Sequence, residues 1–274
     1  MASTKFSLWI YHMNYKMFLL ILIICASLQA VFSCICMPMH PQKQYCRAQY
    51  VISGRIVSST WKQIDEHFNN SDAFDGQLPE DVAWGNELVQ VQKNFSIPRF
   101  ELHNWEMEYA VKVQQVFKTS ADYPIATGQV LLLRSRPKHG HLCGISLQDK
   151  KNYVLGGPVP GHINLCDWAQ IYNTVTRRQK QGLRRGYQKQ CDTCEVFSCD
   201  PEFCNPPSSN KVCVYAGLMH SEDALEWDES DCIARHSRCQ QKGKKGRCRW
   251  QNNGEMTQCQ SRYGIQDWFT FRNF

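Results

Sequence analysis

At 274 residues, 43% apolar and 20% charged with a net charge of +6, the chain has the apolar content of one large or two small packed domains and is not a disordered or low-complexity segment. Fifteen cysteines point away from a reducing compartment and toward a disulfide framework. Paired carboxylates at a recognisable spacing, a nucleophile motif and a phosphate loop are all missing, which argues against an enzyme, and no nucleic-acid motif accompanies the mild positive charge.

Residues 1–33 carry Lys5 and Lys16, no acidic residue, and the apolar run Met17 to Ala26. That run is shorter than the roughly 20 residues a membrane span needs, and Val31-Phe32-Ser33 offers small residues at −3 and −1 for signal peptidase. The pattern predicts a cleaved secretory signal, no membrane span and a secreted product. The competing reading is an uncleaved anchor, or a cut one or two residues away. Cleavage before Cys34 makes a cysteine the first mature residue and removes Cys25, leaving an even fourteen cysteines and therefore seven disulfides. A terminal cysteine presents its α-amine and its own carbonyl, two atoms able to close a five-membered chelate ring on a metal.

After Cys46 short β-rich runs bounded by turn residues read as strands: Tyr50 to Ser58, Tyr109 to Phe117, Gln129 to Arg134, Asn152 to Leu155 and His162 to Cys166, with Tyr109, Val111 and Val113 alternating with polar residues. Gly54 reads as a bulge. The expected fold is mainly β with flanking helices, a five-stranded barrel in an amino-terminal domain spanning 34–191. Residues 59–106 read as a long surface insertion, acidic around Asp65 to Asp81, with glycosylation acceptors at Asn69 and Asn94 and a further strand at Leu88 to Val91. It is either a partner-contacting loop or one without a role. Trp168 to Gly182 reads as a helix, with Trp168, Ile171, Tyr172 and Val175 as its packed stripe.

Ten of the fourteen mature cysteines follow residue 165. Residues 192–274 therefore read as a small disulfide-rich β domain that cannot bury enough apolar surface alone. Its tail, Gln260 to Phe274, has five aromatics, read as packing back on that domain or as a docking element. Lys242, Lys244, Lys245, Arg247 and Arg249 make a basic run that is either a solvated hairpin or a site for sulfated matrix glycans. Cys191-x-x-Cys194 lacks the strand-to-helix context of a redox pair. His139 and His141 are either metal ligands or surface residues of a loop.

The spacings Cys34-x-Cys36-x9-Cys46 and Cys191-x2-Cys194-x4-Cys199-x4-Cys204, with Cys36-Met-Pro-Met-His-Pro-Gln42, Val51 to Val57, Cys143-Gly144 and the interval from Cys166 to Cys191, resemble the tissue inhibitors of metalloproteinases. The resemblance covers nearly all of the mature chain. It implies an oligonucleotide/oligosaccharide-binding-type barrel, and pairs Cys34 with Cys143, Cys36 with Cys166, Cys46 with Cys191, Cys194 with Cys248, Cys199 with Cys204, and Cys213 with Cys239. Two cysteines exceed the common family count, leaving Cys232 for Cys259.

The implied activity is secreted inhibition of zinc metalloproteinases in a one-to-one complex. The Cys34 amine and carbonyl would chelate the zinc held by the target, with no cofactor in the inhibitor itself. Cys34, Ile35, Cys36, Met37 and Pro38 would fill the cleft, with His141 and Leu142 in a second contact loop. Ile35 would enter the first primed-side pocket. The family usually has a small hydroxyl residue there, so Ile35 bears on which proteinases are inhibited. The alternative is a netrin-like matrix-binding module sharing the barrel and inhibiting nothing.

Overall fold

The computed structural model describes residues 34, 36–64, 88–92, 95–139, 142–200, 204–217, 228–241, 243 and 246–264. The leader, Ile35, Asn69, Asn94, His141, Lys242, Lys244, Lys245 and the tail beyond 264 lie outside that set. By its internal contacts the chain divides into residues 1–35 and 36–274. In the first unit Cys34 alone is described, half-buried and disulfide-bonded; the rest of this subsection concerns the second.

That unit opens with helix α1 (Pro41–Arg47), started by Pro41 at its first turn and by the His40 ring, which accepts from Gln42 N. Strands β1 (Tyr50–Gln63), β2 (Leu88–Gln92), β3 (Phe95–Pro98), β4 (Trp105–Lys118), β5 (Val130–Ser135), β6 (Asn152–Gly157) and β7 (Trp168–Ile171) follow. Five of them form one sheet in the order β5-β4-β1-β6-β7, with every neighbouring pair antiparallel. β2 and β3 make a separate hairpin.

The β1–β4 ladder runs out to Gln63 opposite Trp105 and is interrupted by register shifts, one of them between Ser53 and Gly54. There the strands approach so closely that a Cβ on Gly54 would lie 2.5 Å from a Val111 methyl, and the shift bends the sheet. The inner face is filled by Tyr50, Ile52, Ile56, Tyr109, Val111, Val113, Leu131, Leu133, Tyr153 and Leu155. Between the edge strands β5 and β7 there is no continuous ladder. A single parallel bridge joins Arg134 to His162, with Arg134 N donating to Gly161 O at 2.8 Å and Ile163 N to Arg134 O at 2.9 Å.

Two expectations shift together. Residues 162–166 are not a strand, because Asn164 and Asp167 turn the chain there: Cys166 N donates to Asn164 Oδ1 at 2.9 Å and Asn164 N to Asp167 Oδ2 at 3.0 Å. The fifth strand is instead Trp168–Ile171, the start of the expected helix, since Trp168 pairs with Gly156 and Ile171 with Tyr153. Helix α2 (Arg177–Gln181) begins only after the Thr176/Gln179 capping box and continues as a π-helical turn, Gly182–Gly186. The aromatic stripe still packs: Trp168, Val175, Leu183 and Tyr187 join Tyr45, Ala48, Val51 and Val154 in a second core.

The remainder holds β8 (Glu195–Ser198) and β9 (Val212–Tyr215), which are parallel, helix α3 (Cys232–His236), the antiparallel pair β10 (Cys239–Gln241) and β11 (Cys248–Trp250), and helix α4 (Gly254–Arg262). Its buried core is made largely of cystine with Val196, Tyr215 and Ala234. Bridges join Cys36 to Cys166, Cys46 to Cys191, Cys194 to Cys248, Cys199 to Cys204, Cys213 to Cys239, and Cys232 to Cys259.

Candidate functional site

Residues 36–40 have no regular structure and pass from surface to interior in a few steps. Cys36 is half-buried, Met37 is 55% exposed, Pro38 and Met39 are buried, and His40 is fully enclosed. Burial pushes the His40 pKa down to about 3, against the opposing pull of the Ile233 and Ser237 backbone. The ring is therefore neutral. With Nδ1 accepting from Gln42 N at 3.0 Å, Nε2 carries the proton and lies 3.2 Å from Ile233 O. Tyr187, Tyr215 and Trp250 surround the ring at centroid distances of 6.4, 5.4 and 4.7 Å. Two residues on, the Gln42 amide closes both ways on one buried peptide, Nε2 donating to Cys239 O at 3.0 Å and Oε1 accepting from Cys239 N at 2.9 Å. Met37 thus projects from a stretch anchored on one side by the Cys36–Cys166 bridge and on the other by His40 and Gln42.

The second stretch, 136–147, reaches the same place. Leu142 N donates to His139 O at 3.1 Å, and Leu142 is half-buried. Cys143 has φ +54°, and a Cβ on Gly144 would stand 1.8 Å from Arg136 O. Only glycine permits the chain to cross residues 136–137 that closely. Beyond the crossing the segment leaves the ladder, and side chains of three strands satisfy its backbone. Ser135 Oγ accepts from Ile145 N at 3.0 Å, Tyr109 Oη donates to Ile145 O at 2.8 Å and accepts from Leu147 N at 3.2 Å, and Tyr153 Oη accepts from Gln148 N at 3.0 Å.

The two stretches meet at the 164–167 turn. Leu165 N donates to Cys143 O at 2.8 Å, one residue before the Cys166 that bridges to Cys36. Burial pushes the adjacent Asp167 up to about 6, with the Asn164 N–H and the Arg47 charge opposing the shift. Of the residues singled out from the sequence, Cys36, Met37, Pro38, Leu142 and Cys143 therefore sit on two stretches tied to one turn. Cys34 is disulfide-bonded, and Ile35 and His141 lie outside the described residues.

Fourteen cysteines are disulfide-bonded. Among the described residues the one three-ligand cluster able to hold a metal is Cys194, Cys239 and Cys248. All three sulfurs are committed to cystines, so no thiolate is on offer there. Sequence reasoning passed over His40 and Gln42, although the His-Pro-Gln run carries a visible signal, a proline directly after a capping side chain. It also missed the hydroxyls of Tyr109, Ser135 and Tyr153, which no local pattern distinguishes from core residues.

Residues 32–250 match the family model described as tissue inhibitor of metalloproteinase. Metalloproteinase inhibitor 2 of Homo sapiens is 26% identical over 185 residues, which cover 65% of this chain and 66% of that protein, just under two thirds of its length. The Gallus gallus protein of the same name is 26% identical over 224 residues, covering 80% of this chain and 81% of its own. That of Cricetulus longicaudatus is 28% identical over 173 residues, covering 61% and 68%. With the cystine pairs, the antiparallel sheet and the two converging stretches in place, the family match over most of its length means that the chain belongs to the tissue inhibitor of metalloproteinase family.

Proposed function

We propose that this chain is a secreted inhibitor of zinc metalloproteinases that acts as a substrate-like plug in a one-to-one complex. The observation carrying the reading is the convergence of the 36–38 and 142–144 stretches on one rigid turn, with Met37 exposed beside the bridged Cys36. A surface fixed by cystine and buried hydrogen bonds loses little conformational entropy on docking. A catalytic zinc keeps one position for the water that it activates, and displacing that water stops hydrolysis. After signal cleavage the Cys34 α-amine, with an ordinary pKa near 7.7 to 8, is partly neutral at physiological pH and is a competent nitrogen ligand. The Cys34 carbonyl would supply the second donor. Ile35 would enter the first primed-side pocket, Cys36 to Pro38 would continue along the cleft, and His141 and Leu142 would touch its rim. Disulfides persist in oxidising surroundings, which supports secretion.

Adding one alanine before Cys34 tests the chelate. The first mature residue is established by sequencing the secreted protein's amino terminus. The extended form is expected to weaken inhibition of a metalloproteinase panel by about a hundredfold or more, equivalent to about 3 kcal/mol, with unchanged thermal unfolding. Undiminished inhibition by the extended protein excludes the chelate. A wild-type protein that inhibits no member of the panel favours the netrin-like matrix module instead.

A further inference from the structure

Two acid-free stretches of the sequence are dense in basic residues. Residues 168–191 carry six lysines and arginines, and residues 232–254 carry seven. Forty residues separate the runs in the chain, yet the fold lays them side by side. At one end Thr176 Oγ1 donates to Arg235 O, and Gln179 Nε2 donates to Ala234 O at 3.2 Å. At the other, Gln241 N donates to Gln190 Oε1 at 3.4 Å. Between them the Arg238 guanidinium reaches the π-helical turn, where a Cβ on Gly186 would meet its Nη1 at 2.5 Å. Arg238 Nε also donates to Gln240 Oε1 at 3.3 Å, and Gln240 pairs across the β10–β11 hairpin with Arg249. Directly opposed residues of a hairpin share a face, so Arg249 lies on the side of the hairpin that Arg238 and the π-helical turn occupy.

Very little on this surface neutralises its charge. Arg178 is paired with Glu255 at 2.7 Å, and Lys180 lies over the Tyr172 ring at 4.8 Å. Arg177, Arg184, Arg185, Lys189 and Arg249 are exposed and have no ion-pair partner among the described residues. Of the acids that follow the first run, Asp192 acts on Lys118 and Glu195 on Lys43. Burial of the neighbouring His236 lowers its pKa, and the Arg235 charge lowers it further. Uncompensated like charges packed together raise the folding free energy, and they produce a positive potential that attracts polyanions.

We infer that this face, built from Arg177, Arg184, Arg185, Lys189, Arg238 and Arg249, binds a linear sulfated polysaccharide. Charge spread along two packed segments suits a chain with regularly repeated anions better than a single small ion. Arginine predominates over lysine, and its planar fork makes paired hydrogen bonds to tetrahedral oxyanions. The partner class follows from the cystine content: disulfides persist outside reducing compartments, where the abundant linear polyanions are sulfated glycans rather than nucleic acids. The stretches assigned to proteinase contact contain none of these six residues, so the two activities can be measured independently.

The test uses the full-length secreted protein, immobilised heparin, and the triple variant Arg184→Glu/Arg185→Glu/Lys189→Glu. Wild type is expected to bind heparin and heparan sulfate at 0.15 M salt. Its affinity should fall steeply with ionic strength, because each neutralised anion releases a condensed counterion. The triple variant should bind at least about thirtyfold more weakly, since three attractions become repulsions. Thermal unfolding and metalloproteinase inhibition should stay at wild-type values, which shows that the variant is folded. Chemically desulfated heparin should compete poorly. Equal heparin binding by wild type and variant overturns the assignment. So does tighter binding to single-stranded DNA of equal charge, or to phosphatidylserine vesicles, than to heparin. Should a triple variant fail to fold, Arg184→Gln and Lys189→Gln singly should each weaken binding severalfold, and wild-type affinity in both would overturn the assignment equally.

Discussion

His40 and Asp167 flank the converging stretches and respond to acid in opposite directions. His40 is a base whose folded pKa of about 3 lies below its ordinary 6.5. The unfolded chain therefore takes up the proton first, and stability falls as pH drops from 6.5 toward 3. Asp167 is an acid whose folded pKa of about 6 lies above its ordinary 3.8. Here the folded chain protonates first, and stability rises as pH drops from 6 toward 3.8. Between pH 7 and 4.5 the linkage amounts to a loss of about 3 kcal/mol at His40 and a gain of about 2 kcal/mol at Asp167. The wild-type protein should therefore change by only about 1 kcal/mol from this pair. Asp167→Asn removes the compensating gain, and its denaturant-unfolding free energy should drop by about 3 kcal/mol over the same interval. Identical pH slopes for the two proteins would rule out the Asp167 contribution. Neither shift is legible in the sequence, because both arise from enclosure by residues distant in the chain. Cys36, Met37 and Cys143 were named through the family resemblance, whose motifs are strings of neighbouring residues.

At the scale of elements, the segment from His162 to Gln181 shows how turn and cap chemistry override periodicity. Ile163 and Leu165 alternate as a strand should, yet the Asn164 and Asp167 side chains bind the backbone and turn it. Trp168, Ile171, Tyr172 and Val175 have helical spacing, but an unpaired edge of β6 offered Trp168–Ile171 a ladder. The helix waited for Thr176, whose hydroxyl accepts from Gln179 N at 3.2 Å and donates to Arg235 O. Thr176→Ala removes the cap and leaves a partly buried carbonyl without that donor. The expected cost is about 2 kcal/mol, read as a lower thermal midpoint. Thr176→Ser should recover most of it, and a Thr176→Ala protein as stable as wild type would show that the capping box contributes nothing.

Over the whole molecule, the unit 36–274 is held together by a few bonds of very long sequence separation. Gln42 and Cys239 are 197 residues apart, and both hydrogen bonds between them are buried. Gln42→Ala leaves a buried donor and a buried acceptor unsatisfied and should cost about 2 to 4 kcal/mol. Because His40 is ringed by aromatics from both sides of residue 192, wild type should unfold in a single transition by calorimetry. A variant losing less than about 1 kcal/mol would mean that the Gln42 pair does not join the halves. The composition, the cysteine count and spacing, the short β-rich runs bounded by turn residues and the alternation around Tyr109, Val111 and Val113 were sufficient to specify a disulfide-bonded, mainly β chain of this family, because each is a property of neighbouring residues. The fifth strand, the buried state of His40, the hydroxyls that hold residues 145–148 and the merging of two acid-free runs into one basic face depend on which distant segments the fold brings into contact. Those were decided only when the sheet, the helices and the cystines packed together.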